Sequence, residues 1–432
     1  MRDNLKDDCP DILRLYGRSI EALEYRNPGT VFTSGRSMRD LKAAQNLRDV
    51  SVHHLIRKPG KPFAEQIAAF DRNFSKEDYI PHYEEVSKYR SLIRKATVEE
   101  LKHHEVILCT TGVATSPKLL MGTNIYQLII DEAGMCQEPQ CMAPIIANSP
   151  KQVVLIGDHK QLQPIIKCRA AAKLGMIKSL FERYAEDLKH SNDERNVRFT
   201  FLNTQYRMHK QLCEFPSDEF YDKELETAQS VLDREEKLPF LRLWPDSNVP
   251  HVFCHVEGKE EVTTVSTEEG NEKSRSNPNE VKQVVKIFKH MVEVEKVCVK
   301  DINIISQYNA QCHALKQMLR EEKYENVTVN TVVASQGGEW EYVIFSTVRS
   351  LPVYEIESTP SFGWCAQNLG FIIDRHQINV ALTRAKRGLI IVGNKNLLMC
   401  DGVWKKLVKK YEDLNCVVSV LDFPTRSLPI PK

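Results

Sequence analysis

The 432 residues lack most of the features that sort a chain quickly. None of the 12 cysteines forms a C-x-x-C pair. The closest two, Cys136 and Cys141, have no histidine nearby, so zinc is poorly supported. No apolar run approaches the roughly 18 residues needed to span a bilayer, which argues against a membrane partner. The opening MRDNLKDDCP is charged and reads as no secretory leader. With scattered cysteines, this predicts an intracellular chain, cytoplasmic or nuclear, with reduced thiols. Internal repeats and low-complexity tracts are absent. Neither sign of charge dominates: lysine plus arginine is 59 and aspartate plus glutamate 58, a net +1. Any basic groove therefore has to be local. No G-x-G-x-x-G follows a strand-like run, which sets aside a small-molecule enzyme on a dinucleotide-binding sheet.

What is present is an alternation. Residues 1–104 are polar and rich in helix formers, as in EEVSKYRSLIRKATVEELKHH from Glu84, and show no chemistry. They read as a helical arm. From Glu105 the character changes to short apolar runs rich in β-branched residues: EVILCTT, YQLIIDE, KQVVLIGD and VRFTFLN. Helical or loop segments separate them, which predicts a parallel sheet with helices on its faces. A second block, with a boundary near residue 200, repeats the alternation in VPHVFCHV, INIISQY, VTVNTVVA, YVIFSTVRS and GLIIVGN. Between them NEVKQVVKIFKHMVEV has helical periodicity, with Val281, Val284, Val285, Phe288 and Met291 on one side. The polar stretch from Gly258, GKEEVTTVSTEEGNEKSRSNPN, reads as a surface loop. The expectation is an α/β chain in three parts: 1–104, 105–200 and 201–432.

One feature of this pattern points to chemistry. LIIDEAG ends an apolar run in two adjacent carboxylates, Asp131 and Glu132. An unpaired carboxylate in an apolar interior costs several kcal/mol. The pair therefore belongs at an exposed strand end, and in open α/β sheets that end faces a ligand.

Read together, IIDEAG, LIGDHKQLQP (155–164), TQYRMH (204–209), SQYNAQ (306–311), VNTVVASQGGEWEYVIFSTVRS (329–350) and INVALTRAKRGLIIVGN (378–394) resemble superfamily 1 helicases in order and residues. Within those they look like the group of the nonsense-mediated-decay RNA helicase. The wording of ILRLYGRSIE and LIRKPGKPF is most similar to helicases with zinc finger domains. The resemblance is strong over roughly 100–400 and weak before. It implies two RecA-like parallel-sheet domains, the first incomplete, with a helical segment in front. The implied activity is an ATP-dependent RNA or DNA helicase or translocase. ATP and Mg²⁺ would be its cofactors, and single-stranded RNA or DNA its partner, together with protein cofactors.

Carried over residue by residue, Asp131 would hold Mg²⁺ through water, since a hard dication takes hard oxygen ligands. Glu132 would orient and deprotonate the attacking water. Gln161 would hydrogen-bond the γ-phosphate or that water as a neutral amide. Asp158 is a turn residue or cap, and Gly157 serves the turn. Arg207 and Arg384 would meet the charge of the transition state with planar forks of donors, coupling hydrolysis to domain closure. Surface salt bridges are expected for Arg349 and Arg387. Tyr206 would stack on adenine, with Gln336 and Glu339 beside it and Glu339 on the ribose. Gly337 and Gly338 let the backbone approach without Cβ clashes. Thr110, Thr111 and Ser116 on one domain, and Asn309 and Thr331 on the other, are candidates for phosphate contacts that position a strand without reading it. Gly134 stands where alanine or serine is commoner, but a small residue is kept.

A P-loop, G-x-x-x-x-G-K-[ST], is absent from the 432 residues. Gly-Lys occurs only at Gly60-Lys61 and Gly258-Lys259, and neither has a glycine five residues earlier. The expectation is that the chain begins after that loop and hydrolyses ATP poorly. A sheet lacking its first strand and helix would then expose an edge and apolar surface. The alternative is a non-enzymatic regulator that binds nucleic acid or a partner.

Overall fold

The computed structural model describes residues 9–25, 45–76, 79–189, 199–237, 241–246, 249–267 and 270–424. The chain divides into two compact units, residues 1–157 with 163–187, and 158–162 with 188–432. Among the described residues no helix is long and apolar enough to cross a membrane.

The first unit holds two parallel strand pairs. Strand β1, Ile12–Arg14, lies beside β2, Val106–Leu108, so one strand does come from the arm that reads as purely helical. Strand β3, Gln127–Ile130, pairs with β4, Gln152–Leu155. Around β1 and β2, helices Ala64–Phe74 and Tyr83–Leu101 enclose a core that includes Leu13, Ile67, Phe74 and Tyr89. A smaller cluster, Ile130, Ala133, Cys141 and Leu180, backs β3. The other side of that pair is open. Ile129 and Val154, opposite each other in register, are 55% and 37% exposed.

The second unit begins with a short parallel pair, β5 Thr204–Gln205 and β6 Glu226–Thr227. Its center is a six-stranded, fully parallel sheet. With β7 His251–His255, β10 Ile302–Ser306, β11 Thr328–Thr331, β12 Trp340–Ser346, β13 Ala385–Gly393 and β14 Val417–Ser419, the order is β11-β10-β12-β13-β7-β14. All five residues of β10 are buried, as continuous apolar runs are when helices cover both faces of a parallel sheet. Helix Pro278–Glu293 covers part of one face with the five apolar residues expected from periodicity. Each buried side chain of that kind stabilises by about 1.5–3 kcal/mol. Pro278 opens the helix, and the Asn277 side chain accepts from the amides of Asn279 and Glu280.

Two expectations need correction here. The polar stretch after Gly258 is not a loop: β8, Glu261–Thr267, and β9, Gly270–Ser276, form an antiparallel hairpin. Its β-branched residues, Val262 to Val265, favour strands although the segment is polar overall. Nor does Arg349 make a surface salt bridge. It is 5% exposed and donates to Glu260 Oε1 at 2.9 Å, a partner 89 residues away. Arg387 places its guanidinium over the Tyr342 ring, 5.5 Å from the centroid.

Candidate functional site

In the first unit the apolar run of β3 ends at a sharp change of exposure: Ile130 is buried, Asp131 and Glu132 are exposed. Glu132 has φ +52°, a left-handed conformation rare outside glycine. Its amide donates to Asp131 Oδ1 at 3.0 Å, which fixes one carboxylate against the turn. The ends of β3 and β4 close on each other, with Ala133 N donating to Ile156 O at 2.8 Å. A Cβ at Gly157 would lie 2.7 Å from Gly134 N. Gly157 is therefore required by close approach.

Also in this unit, β2 runs into the turn that carries Thr110, Thr111 and Ser116. The Thr110 carbonyl accepts from the amides of Val113 and Ala114, both at 3.0 Å. Thr110 is exposed and Thr111 half-buried. The Ser116 hydroxyl oxygen is buried without a hydrogen-bond partner among the described residues.

The second unit gathers residues far apart in sequence. Arg384 is 1% exposed, so its charge needs several acceptors. Its Nε donates to Val380 O at 3.0 Å, Nη1 to Gly338 O at 3.2 Å, and Nη2 to Thr383 Oγ1 at 2.9 Å and to Gln161 Oε1 at 3.2 Å. Gln161 is oriented in turn, donating to Asp158 Oδ2 at 2.8 Å. Asp158 Oδ1 accepts from Lys160 N at 2.9 Å, so it does serve the turn. Two residues that the sequence reading misses complete this network. Tyr221 donates to Asp158 Oδ2 at 2.6 Å. Asn379 Nδ2 donates to the Tyr221 hydroxyl at 2.8 Å and to Lys160 O at 2.9 Å. Burial first, and then the Asp158 carboxylate, push the Tyr221 phenol far up, so it stays a donor. Asn379 has a legible signal, a polar residue inside the apolar run INVAL, and Tyr221 has none.

Arg207 lies at the same end of the sheet. It donates to Glu339 Oε2 at 2.8 Å and to Thr383 O at 3.1 Å. Glu339 also pairs with Lys386 at 2.8 Å, a third residue missed in sequence. The Lys386 bond, above all, holds the Glu339 carboxyl below its ordinary range, against the opposing effect of burial. Gly337 has φ +75°, and a Cβ at Gly338 would strike the Trp340 ring at 2.3 Å. The Tyr206 ring is 69% exposed beside this group. Gln336 is half-buried where the chain enters the glycine turn.

Strand direction separates these residues from the remaining candidates. Gly338, Glu339 and Arg384 precede β12 and β13, at the amino end of the sheet. Asn309 follows β10 and Thr331 ends β11, and the strands' last residues, Ser306 and Thr331, are register partners at the carboxyl end. Thr331 Oγ1 accepts from Ala334 N at 3.1 Å.

A buried acid occupies that carboxyl end. Glu280 accepts from Ser346 Oγ at 2.6 Å and from Val348 N at 2.9 Å, while Asn277 Nδ2 donates to Val348 O at 3.1 Å. Burial pushes the Glu280 carboxyl up to about 8, although the Ser346 and backbone hydrogen bonds pull it down. Val348, a β-branched residue, is held at φ +71°. Strain of that kind costs about 1–3 kcal/mol and persists only where neighbours impose it.

A cluster of three possible metal ligands lies in the helical arm. Among the described residues, Glu24, His53 and His54 alone bring three ligand atoms within 4.8 Å of one another. Hydrogen bonds account for them, since both imidazole Nε2 atoms contact Glu24 Oε2, at 2.5 and 2.7 Å. Cys136 and Cys141 are free thiols.

Comparison with known proteins places these residues in a family. The AAA domain matches residues 176–396, and a second AAA-domain family matches 65–169. The mouse protein 3'-5' exoribonuclease HELZ2 is 40% identical over 417 residues, 94% of this chain and 13% of that protein. Regulator of nonsense transcripts 1 homolog from Neurospora crassa is 34% identical over 342 residues, 77% of this chain and 28% of the relative. ATP-dependent helicase NAM7 from Saccharomyces cerevisiae is 33% identical over 343 residues, 77% of this chain and 32% of its own length. The chain thus spans less than a third of each of these relatives.

Proposed function

The chain belongs to the AAA-domain family of superfamily 1 helicases, and we propose that it contributes the hydrolytic and strand-contacting residues of an ATP-dependent RNA or DNA helicase. The observation that carries this reading is the convergence of Gln161, Gly338 and Arg384, residues 161 to 384 in sequence, on one buried guanidinium. Arg384 Nη2 donates to the Gln161 amide oxygen, and Gln161 is itself aimed by Asp158, an arrangement able to register a phosphate.

The donors present fit a nucleotide with Mg²⁺. Asp131 and Glu132 offer exposed carboxylate oxygens at a strand end, the hard ligands a divalent cation prefers. Mg²⁺, when bound, supplies neutralisation of phosphate charge. Asp131 would hold it through water, and Glu132 would take a proton from the attacking water. Gln161 would hold that water or the γ-phosphate. Arg207 and Arg384 would stabilise charge on the transferring group, and Tyr206 would stack on the base. Gln336, Gly337 and Gly338 would line the nucleotide turn. Glu339 would be shared between Arg207, Lys386 and the ribose. Thr110, Thr111, Ser116, Asn309 and Thr331 would contact the strand through phosphates, with RNA favoured by the relatives.

A second reading, a nucleic-acid- or partner-binding regulator without hydrolysis, is separated from the first by experiment. The deciding experiment measures polynucleotide binding and ATP hydrolysis on the wild-type chain, Glu132→Gln and Arg384→Ala. Hydrolysis lost in both variants supports the helicase reading. Strand binding with no nucleotide dependence supports the regulator. A chain that binds neither ligand overturns both.

A further inference from the structure

The helical arm shows no chemistry in sequence, but folding brings three ligand-type side chains of it to one point. Glu24 ends helix Arg18–Glu24, and His53 and His54 lie 29 and 30 positions on, in the single turn Val52–Leu55. Val52 and Leu55 enter the core of the first unit, so the two histidines between them face away from it. Successive helical side chains diverge by about 100°, yet both imidazoles reach the same atom. Their Nε2 atoms lie 2.5 and 2.7 Å from Glu24 Oε2, with the ring centroids 4.3 Å apart. The Glu24, His53 and His54 side chains are 9%, 3% and 13% exposed.

The charge of this cluster is poorly balanced. A buried carboxylate needs a cation as well as hydrogen bonds. Among the described residues, the one permanent cation within 4.0 Å of Glu24 is Arg48, at 3.8 Å and with its own side chain exposed. Other cations of the arm and its surroundings are committed elsewhere, Arg57 to Asp71 at 2.7 Å and Lys118 to Glu21 at 3.2 Å. Two imidazole nitrogens and a carboxylate oxygen converging on one point are ligands for a divalent transition ion. His54 also has the outer partner that orients such a ligand, since its Nδ1 lies 2.8 Å from the Tyr25 hydroxyl. A hydroxyl serves two states. It donates to Nδ1 while the Nε2–H holds the carboxylate, and accepts from Nδ1–H when the Nε2 lone pair faces an ion. The Arg57 guanidinium, 3.7 Å from the centroid of the Tyr25 ring, steadies that ring.

We propose that Glu24, His53 and His54 bind a divalent transition-metal ion, Zn²⁺ by the chemistry of its ligands, which ties helix Arg18–Glu24 to the turn Val52–Leu55. Mg²⁺ and Ca²⁺ prefer oxygen ligands throughout, and Cu⁺ prefers sulfur. An octahedral ion would need three further ligands in a buried cluster, whereas tetrahedral Zn²⁺ needs one, a water. Ligand atoms about 2.1 Å from zinc stand about 3.4 Å apart, so the two Glu24 contacts open by less than about 1 Å on binding. The site uses none of the residues of the proposed function and goes beyond it.

The test is Zn²⁺ uptake by the full chain after chelator treatment, measured by elemental analysis and by competition with a chromogenic chelator in excess Mg²⁺. A single zinc ion per chain is expected, with the melting temperature of the first unit raised by about 5–10 °C when zinc stands at about 100 times its Kd. Glu24→Gln keeps an oxygen for the two N–H groups but no charge for the ion, and should weaken binding at least about 100-fold. Tyr25→Phe removes the outer partner of His54 and should weaken it at least about tenfold. His103→Gln, at an exposed histidine outside the cluster, should match wild type. Equal uptake by wild type and Glu24→Gln overturns the site. Should Glu24→Gln fail to fold, Tyr25→Phe carries the test, and unchanged affinity in it overturns the site. Displacement of zinc by Mg²⁺ would identify an oxygen-ligand site and overturn it too. Co²⁺ in place of zinc reports the ligand type, and a thiolate charge-transfer band would put the ion on cysteines instead. A wild-type chain that takes up no zinc overturns this inference and leaves the proposed function untouched.

Discussion

The Tyr221 hydroxyl donates to Asp158 Oδ2 at 2.6 Å, on the same oxygen that accepts from the Gln161 amide at 2.8 Å. The orientation of Gln161 toward Arg384 is thus set from a residue 60 positions away in sequence. Tyr221→Phe keeps the ring and removes the hydroxyl, leaving Asp158 and Asn379 each short of a partner. Loss of about 1–3 kcal/mol is expected in urea unfolding of the second unit. An unchanged midpoint would show that water replaces the hydroxyl and that the network has no structural weight.

Glu280 gives the second unit a pH signature. Its folded carboxyl is pushed up to about 8 from an ordinary 4.5. The folded state therefore holds a proton that the unfolded chain releases above pH 4.5. Its stabilising contribution is full below that pH and is lost as pH rises through 8, with a slope of at most about 1.4 kcal/mol per unit. The charged groups facing this corner are Glu260, which raises the Glu280 value, and Arg275 and Arg349, which pair with Glu260. Glu280→Gln keeps a neutral donor and lacks the titration. Denaturation at pH 5, 6.5 and 8 should show wild type losing stability relative to Glu280→Gln. Parallel curves would mean that Glu280 is ionised in the fold.

How far these features are legible depends on how local their causes are. Strands β7, β10, β12 and β13 can be read directly, because burial on both faces forces unbroken apolar runs. The exposed Asp131-Glu132 pair is legible for the converse reason, since charge ends a buried strand. Helix Pro278–Glu293 announces its apolar face, but Glu280 on the same buried helix is overlooked, since its partners Ser346 and Val348 lie 66 and 68 residues on. The β8–β9 hairpin is hidden by polar composition, although Val262 to Val265 carry strand propensity. Arg349 and the Glu24–His53–His54 cluster share one cause of illegibility. Each depends on chain segments brought together only by folding, Glu260 in one case and histidines 29 and 30 positions from Glu24 in the other.

The metal-free first unit has the opposite pH dependence. Burial raises the Glu24 carboxyl, but hydrogen bonds from His53 and His54 outweigh it and leave the value below 4.5. Burial lowers His53 below 6.5, despite its bond to Glu24. A depressed histidine loses stability as pH falls below 6.5, because the unfolded chain takes up the proton. A depressed carboxylate adds its loss as pH falls through 4.5. Acid unfolding of this unit is therefore expected in two stages. His53→Gln should abolish the first and Glu24→Gln the second. The measurement is thermal melting from pH 7 to 3, and a single stage unaffected by His53→Gln would refute the assignment.

Ile129 and Val154 bear on how the chain behaves alone. They face each other across β3 and β4, are 55% and 37% exposed, and adjoin exposed Tyr126 and Ile156. Contiguous apolar surface on a soluble unit binds partners or drives association. Isolated chain should therefore bind a hydrophobic dye in its folded state and associate at micromolar concentration. Ile129→Ser with Val154→Ser should cut dye fluorescence by about half and slow association, with a melting temperature within about 2 °C of wild type, since little burial is lost. A large drop in melting temperature would instead mean that the two side chains are covered in solution, either by another part of this chain or by a second copy. Light scattering at two concentrations separates those cases, because only cover by a second copy responds to dilution.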